Sequence, residues 1–532
     1  MGDSTIQPGY GQSAARFAAE AAARQAAEAA KLEAAKQAAL QRQAQTAKGQ
    51  PLVRDTFEAP RTRGGVNLSG GNAPSTTGFA RWEGGNGSSG IPATGPLTVP
   101  QAQAEVKRLL SSTTLDDVTH DDLMSIQAVL GRVPADQVNS VVAGLSDAEL
   151  KQWVEDLNDP GLAGGGPFRG LSTEERGELF TFLADNLEPT QAGRVFTALD
   201  SPEQMVEFGE SFIQRGDVHD RLGFLMAVGE TSFPDSERAA SGQVIASAMD
   251  ALTSDPGRLA IGVRALSEQN LQDGLLKAAG PAWNGMGPQG GQLQYTDLGR
   301  LQRITGAVAS TEDHQARAAM FDGMGFVLGD MVRGQHAVQD KEAVADQVSG
   351  MMTNLLSDDL GRVLTHLSGA QGYDPTGSSF TTYAREQMLD EGGALSDLAG
   401  QMGELNLHSP GPNGRYDTAF VAGYFAGSVI RAADSLTAAE LLGPDKAFAL
   451  ELAKLVVSFR TDPATGTLLS GAMSAAEQAS VEKALSEGAG SVRNAVLDLL
   501  GMELSPGNDN GTPLGAFEQG LFAVYGAALY DP

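Results

Sequence analysis

Cysteine is absent from the 532 residues. Disulfides, thiolate metal sites and cysteine nucleophiles are therefore excluded. Compartment stays open, since an exported bacterial protein can also lack cysteine. Aromatic residues are scarce at 6%, while glycine numbers 66, so part of the chain is expected to lie outside any core. Long apolar runs are missing as well. No uninterrupted stretch reaches membrane-spanning length. The apolar window 447–459 contains Glu451 and Lys454 and reads as a buried helix. No basic segment followed by an apolar run marks a Sec-type signal. These absences predict no membrane insertion, and a protein that is cytoplasmic or exported by a non-Sec route.

The formal net charge is −29, and it is uneven. Residues 1–95 hold 10 Lys/Arg against 7 Asp/Glu, and the remainder holds 27 against 59. A body this acidic is repelled by phosphate backbones, which argues against nucleic acid as a partner. It favours solubility and cationic partners, and a protein partner is expected.

The chain from Ser13 to Lys48 is rich in Ala, Gln, Glu, Lys and Arg. Alanine is the best helix former, and Glu20, Arg24 and Glu28 follow each other at i,i+4. With only Phe17, Leu32 and Leu40 as large apolar residues, no coiled-coil seam is present. Residues 1–48 thus read as an Ala-rich helical arm, either a solvated spacer or an arm that docks on a partner. Residues 49–96 are rich in Gly, Ser and Pro and read as a flexible linker, in which Phe57, Phe79 and Trp82 lie isolated.

Beyond it the patterning is helical throughout. In 171–215, Ser172 with Glu175 forms a capping box. Leu179, Phe182, Leu183 and Leu187 recur at helical spacing behind it. Pro189 breaks that helix. Val195, Phe196 and Leu199 mark a short second one. Ser201, Pro202 and Gln204 start a third, with Met205, Phe208, Phe212 and Ile213 as its apolar face. Further helices are expected near 100–111, 119–131, 134–143, 218–230, 236–252, 257–279, 296–308, 311–332, 340–356, 358–369, 379–389, 394–403, 416–434, 437–460, 474–486, 488–501 and 514–530, and another starts at Ser146. Thr437/Glu440 and Ser474/Glu477 repeat the capping signature. Alternating strand patterns are absent. Starts at Thr119, Ser146, Ser172 and Ser201 lie 27, 26 and 29 residues apart, which invites a helical-repeat reading, but the spacing fails later. The expected fold is all-α, a multi-helix bundle or irregular helical array. It would comprise a helical domain at 97–280 and a second one, or its continuation, at 293–532, with the loop Gly280–Gln292 between them.

No local signature of chemistry stands out. Gly285, Gly287 and Gly290 match G-x-G-x-x-G, but Pro281 precedes them and Pro288 sits inside, so a loop is expected. Gly323, Gly325 and Gly329, like Gly423 and Gly427, read as close-packing positions. The stretch Asp116, Asp117, His120, Asp121, Asp122 groups potential metal ligands, yet carboxylates at a helix start also complement its dipole. Asn508, Asp509, Asn510 and Gly511 read as a turn without the terminal Glu of an EF-hand. His120, His219, His314, His336, His366 and His408 are scattered, and no G-x-S-x-G elbow occurs. No catalytic, cofactor-binding or metal residue is assigned, and no cofactor is expected.

Residues 413–434 contain Tyr416, Asp417, Ala419, Phe420, Ala422, Gly423 and Tyr424. This segment resembles helical stretches in the non-catalytic N-terminal regions of large secreted bacterial toxin-type proteins. The Ala-rich helix with its Gly/Ser linker is similar in style to the front ends of many proteins of high-GC bacteria. The resemblance implies a link to bacterial secretion or to an exported effector. It carries no functional residue over.

The function expected from these readings is a non-enzymatic helical interaction or scaffold protein. Two alternatives stand beside it. One is a hydrolase-type enzyme or exported effector with a site assembled from distant residues. The other is a structural component of a larger assembly.

Overall fold

The computed structural model describes residues 95–111, 119–155, 157, 170–284, 291–334, 336–356, 359–368, 378–389, 394–405, 407–410, 415–434, 479, 483 and 512–528, all within the unit Thr76–Pro532. The expected arm at 1–48, the linker up to residue 94 and, apart from Ala479 and Lys483, the helices expected near 437–460, 474–486 and 488–501 lie outside the described residues.

The described residues are helical almost throughout, as the patterning predicts. Helices α1 (Val99–Ser111), α2 (His120–Gly131), α3 (Ala135–Ala143) and α4 (Asp147–Glu155) come first. Then come α5 (Thr173–Asn186), α6 (Pro189–Ala198), α7 (Pro202–Arg215), α8 (Val218–Val228) and α9 (Asp235–Ala251). They are followed by α10 (Pro256–Ala265), α11 (Glu268–Ala278), α12 (Leu298–Ala309), α13 (His314–Arg333) and α14 (Lys341–Leu356). The last are α15 (Leu360–Leu367), α16 (Ser378–Leu389), α17 (Ala394–Glu404), α18 (Asp417–Asp434) and α19 (Pro513–Ala528).

Helix starts follow their caps. Glu175 N donates to Ser172 Oγ and Ser172 N donates back to Glu175 at 2.8 Å. Thr119 with Asp122 and Asp217 with Asp220 build the same box. Each satisfies first-turn amides that a helix leaves unpaired. Ser201 occupies the N-cap of α7 with Pro202 next, but makes no side-chain capping bond to the helix.

Two expectations are corrected. The helix expected over 257–279 is two helices, α10 and α11. The chain breaks at Leu266, whose backbone is extended. Ser267 then caps α11 through Asn270 N, and its own amide donates to Gly229 O at 2.8 Å. The Asn270 amide adds bonds to Val228, Gly229 and Thr231 carbonyls. Those tertiary bonds outweigh local helix propensity. Gly280–Gln292, expected as a loop, begins with a strand: β1 (Pro281–Trp283) pairs antiparallel with β2 (Leu293–Tyr295), with Ala282 opposite Gln294. Leu293 also bonds to Ala337 and Gln339. Three residues are too few to show alternation, which is why the pattern was invisible.

Through the middle of the chain, helices pack closely on their next-but-one neighbours, as α5 on α7, α7 on α9, α9 on α11 and α6 on α8. One layer runs α5, α7, α9, α11, α13, and the other runs α4, α6, α8, α10, α12, α14, α16, α18. The evenly spaced starts do not mark this repeat, because Ser146 opens a helix of the second layer and Ser172 and Ser201 open helices of the first. Helix lengths vary and the hairpin interrupts the series, so the array is irregular.

The scarce aromatics sit where helices meet. Phe180 of α5 stands edge-on to Phe208 of α7 at 5.4 Å. Phe224 of α8 meets Phe196 of α6 and Phe212 of α7, each at 5.3 Å, and so ties the two layers. Phe321 of α13, Phe380 and Tyr383 of α16, and Phe425 of α18 form a second cluster. Such pairs add about 0.5–1.5 kcal/mol each beyond burial. A single apolar core joins these groups, and α11 packs directly on α13 across the hairpin.

Candidate functional site

The residues flagged in the sequence stay mostly apart. His120 lies 3.8 Å from Asp121 and 3.4 Å from Glu175. Asp122 closes the Thr119 capping box, so the acidic start of α2 serves its helix. Asp116 and Asp117, the glycines 285, 287 and 290, and residues 508–511 lie outside the described residues. His219 is 3.2 Å from the Arg258 guanidinium. The His336 ring stands edge-on to Trp283 at 4.9 Å. Among the described residues, no group of three or more His, Asp or Glu side chains is arranged to hold a metal. No helix among them is long and apolar enough to cross a membrane.

One histidine gains a carboxylate. His314, at the start of α13, donates from Nε2 to Asp359 at 2.7 Å. That hydrogen bond, with the nearby charges of His314 and Arg362, holds Asp359 below its ordinary carboxylate range. His366 lies close enough to His314 to feel its charge, and burial first, then that charge, pushes its imidazole down. Asp359 borders a groove of about 580 Å³ with Arg362, Thr365, Gln401, Leu405 and Thr418. The Thr365 hydroxyl in this groove is already committed to Gly361 O, at 2.7 Å. The pair locks the start of α13 to the start of α15.

A second groove, of about 560 Å³, opens between α11, α13 and α16. Glu268 and Gln272 form one wall, and Ser379 and Thr382 form the other. Asp322, Phe326 and Asp330 follow each other along α13 at one-turn intervals, beside Gly325, Gly329 and Arg333. Ser379 donates its hydroxyl to Asp322. Tyr295 donates to Asp330 at 3.0 Å, and burial together with the Asp330 charge pushes its phenol well above its ordinary value. Arg333 donates to Thr382 Oγ1 at 2.6 Å. Gly323 and Gly325 act as the sequence suggests, whereas Gly329 meets only Arg333 of its own helix. A Cβ on Gly323 would stand 2.7 Å from Leu275, and one on Gly325 would stand 2.5 Å from the Ser379 Cβ. Ser379 and Asp322 are 57 positions apart, and no local motif announced either.

A third feature is a face. The first layer is acidic: α5, α7, α9 and α11 hold twelve Asp/Glu against four Lys/Arg. The facing helices α6, α8, α10 and α12 hold six arginines against one Asp. Exposed carboxylates on the first set are Glu174, Glu178, Asp185, Glu203, Asp235 and Glu268. The one carboxylate within the second set, Asp220, is half-buried. Asp217, Asp255 and Asp297, the N-caps of α8, α10 and α12, each accept from a first-turn amide, while the exposed Glu188 at the N-cap of α6 makes no side-chain capping bond. Arg264 and Arg303 are steadied by Asp313 and Asp250, at 3.1 and 3.0 Å. Met226 on α8 and Ile261 on α10 are exposed, at 55% and 41%. These two helices pack side by side, with Gly262 against Leu225 and Gly229 against Ala265.

Compared with family models, with curated proteins and with solved structures, the chain matches none.

Proposed function

We propose that this chain is a helical interaction or scaffold protein that docks a partner protein on the outer face of α8 and α10. The observation that carries the reading is the pairing of exposed Met226 and Ile261 on a face without exposed helical carboxylates, in a chain of net charge −29. Contiguous exposed apolar patches rimmed by polar groups mark interaction sites. Exposed basic side chains on α8, α10 and the next helix of the layer, α12, are His219, Arg264 and Arg303. The partner this face fits presents an apolar ridge flanked by acidic groups, which the rest of this surface would repel. The link to bacterial export rests on the resemblance of residues 413–434 and on the style of the Ala-rich helix with its Gly/Ser linker.

The test is a pull-down from source lysate with three full-length baits: the native chain, M226E/I261E, and E174Q/E178Q on the opposite layer. The expected result is a partner held by the native and E174Q/E178Q baits and lost from M226E/I261E. All three should melt within a few degrees of each other, because exposed substitutions change stability by about 0.5 kcal/mol or less. An unchanged partner set with M226E/I261E overturns the reading. A concentration-dependent oligomer abolished by the same pair would instead make the occupant a second copy.

A further inference from the structure

We infer that the groove between α11, α13 and α16 is an ester-hydrolysing site, with Ser379 as nucleophile and Asp322 as its general base. This goes beyond the docking reading and uses a different part of the surface. It gives a place to the hydrolase assembled from distant residues that the sequence leaves open.

Three observations converge. First, the Ser379 hydroxyl donates to the Asp322 carboxylate and both line an open groove of about 560 Å³. A serine is a weak nucleophile until a base within hydrogen-bond reach takes its proton. Second, Ser379 lies in the first turn of α16, a helix of 12 residues. The positive end of its dipole favours the alkoxide and the oxyanion that forms after attack. Third, a cation stands close by. Arg333 donates to Thr382 Oγ1 at 2.6 Å. Thr382 is three positions on from Ser379, so their Cβ atoms are about 5–6 Å apart on one helix face. The guanidinium therefore sits within about a turn of the nucleophile, where a carbonyl oxygen gaining charge can reach it.

The backbone is shaped for this placement. Gly325 allows the start of α16 to rest on α13, since a Cβ there would lie 2.8 Å from the Ser379 Cα. Gly329 leaves room for the Arg333 side chain, which a Cβ would meet at 3.1 Å. Phe326, 40% exposed, offers an apolar shelf between Asp322 and Asp330. The substrate class is a carboxylic ester of modest size, with its acyl chain on Phe326 and its carbonyl oxygen toward Arg333.

The chemistry balances with water as the only co-substrate. Ser379 Oγ attacks the carbonyl carbon while its proton passes to Asp322. The tetrahedral species collapses, the carbon–alkoxy bond breaks, and Asp322 returns the proton to the departing alcohol. Water then attacks the acyl-serine, giving its proton to Asp322. The serine–acyl bond breaks, the carboxylic acid leaves, and the Ser379 oxygen takes the proton back. No change of oxidation state occurs.

The experiment treats the full chain with a fluorophosphonate probe, maps the adduct by peptide mass spectrometry, and measures p-nitrophenyl butyrate hydrolysis. The expected adduct is on Ser379. S379A and D322N should each lower kcat/KM at least 100-fold, and R333M should lower kcat. Thermal melts confirm that each variant is folded. E174Q/E178Q should leave hydrolysis unchanged, and S379A should leave partner capture unchanged, so that failure of this site and failure of the docking face are told apart. No adduct on Ser379 of the native chain, under conditions that label a control serine hydrolase, overturns the proposal without recourse to any variant. So does hydrolysis that survives S379A.

Discussion

Gly423 on α18 faces the carbonyl oxygen of Phe517 on α19 so closely that a Cβ would stand 1.9 Å from it. Gly520 repeats the approach from the other side, against Phe420 O. The two helices touch backbone to backbone, and neither contact can relax by a side-chain rotation. G423A is expected to cost about 3 kcal/mol through forced separation of the helices. Gly306, on α12, has nothing within 4 Å of its Cβ position. G306A should instead stabilise by about 0.5–1 kcal/mol, by lowering the entropy of the unfolded chain. Urea denaturation of the two variants checks both signs, and equal effects would contradict the contrast.

Two carboxylates should move stability with pH in opposite directions. Asp359 is held below its ordinary range by the His314 hydrogen bond. Its contribution is present above the unfolded carboxylate value and is lost as pH falls through the lower folded value. Glu386 is pushed up, first by burial. It favours the fold fully only below the unfolded value, and that contribution is lost as pH rises through the higher folded one. D359N should therefore lower the melting temperature at neutral pH and make little difference in strong acid. E386Q should raise it at neutral pH and lose that advantage in acid. Melting curves between about pH 3 and 7 span the ordinary carboxylate values.

Asn270 is 2% exposed and donates to Gly229 O and Thr231 O at 2.8 and 2.9 Å. N270A strands buried carbonyls and removes the tie that stops α10 from running into α11. A loss of about 2–3 kcal/mol is expected by chemical denaturation. A loss under 0.5 kcal/mol would mean that the break at Leu266 is set by Ser267 instead.

Arg176 on α5 is 3% exposed and reaches Glu207 and Glu203 on α7, at 2.7 and 3.3 Å. A buried ion is costly once its partners are broken, yet a well-packed apolar replacement is often tolerated. R176A should therefore destabilise by about 3 kcal/mol and R176M by clearly less. Equal losses would assign the effect to charge alone rather than to packing.

The all-α fold was legible because its signals act within one turn. Ser172 with Glu175, Thr119 with Asp122 and the apolar faces behind them need no distant partner to declare a helix. The break after Leu266 was not legible, since it depends on carbonyls some 40 residues upstream of Asn270. Neither were β1 and β2, which exist through pairing across residues 284–292. The same limit hid the site. The Ser379–Asp322 bond and the His314–Asp359 bond join residues 57 and 45 positions apart.

By itself the chain's order of residues determined the helical class, the caps at Thr119 and Ser172, the lack of thiol chemistry and the acidic balance. Only the tertiary structure decided which helices share a layer, and that Met226 and Ile261 surface on α8 and α10. The reason is range. Capping and periodicity are read within about four residues. Layering, grooves and paired side chains arise from packing between segments that the linear order keeps far apart.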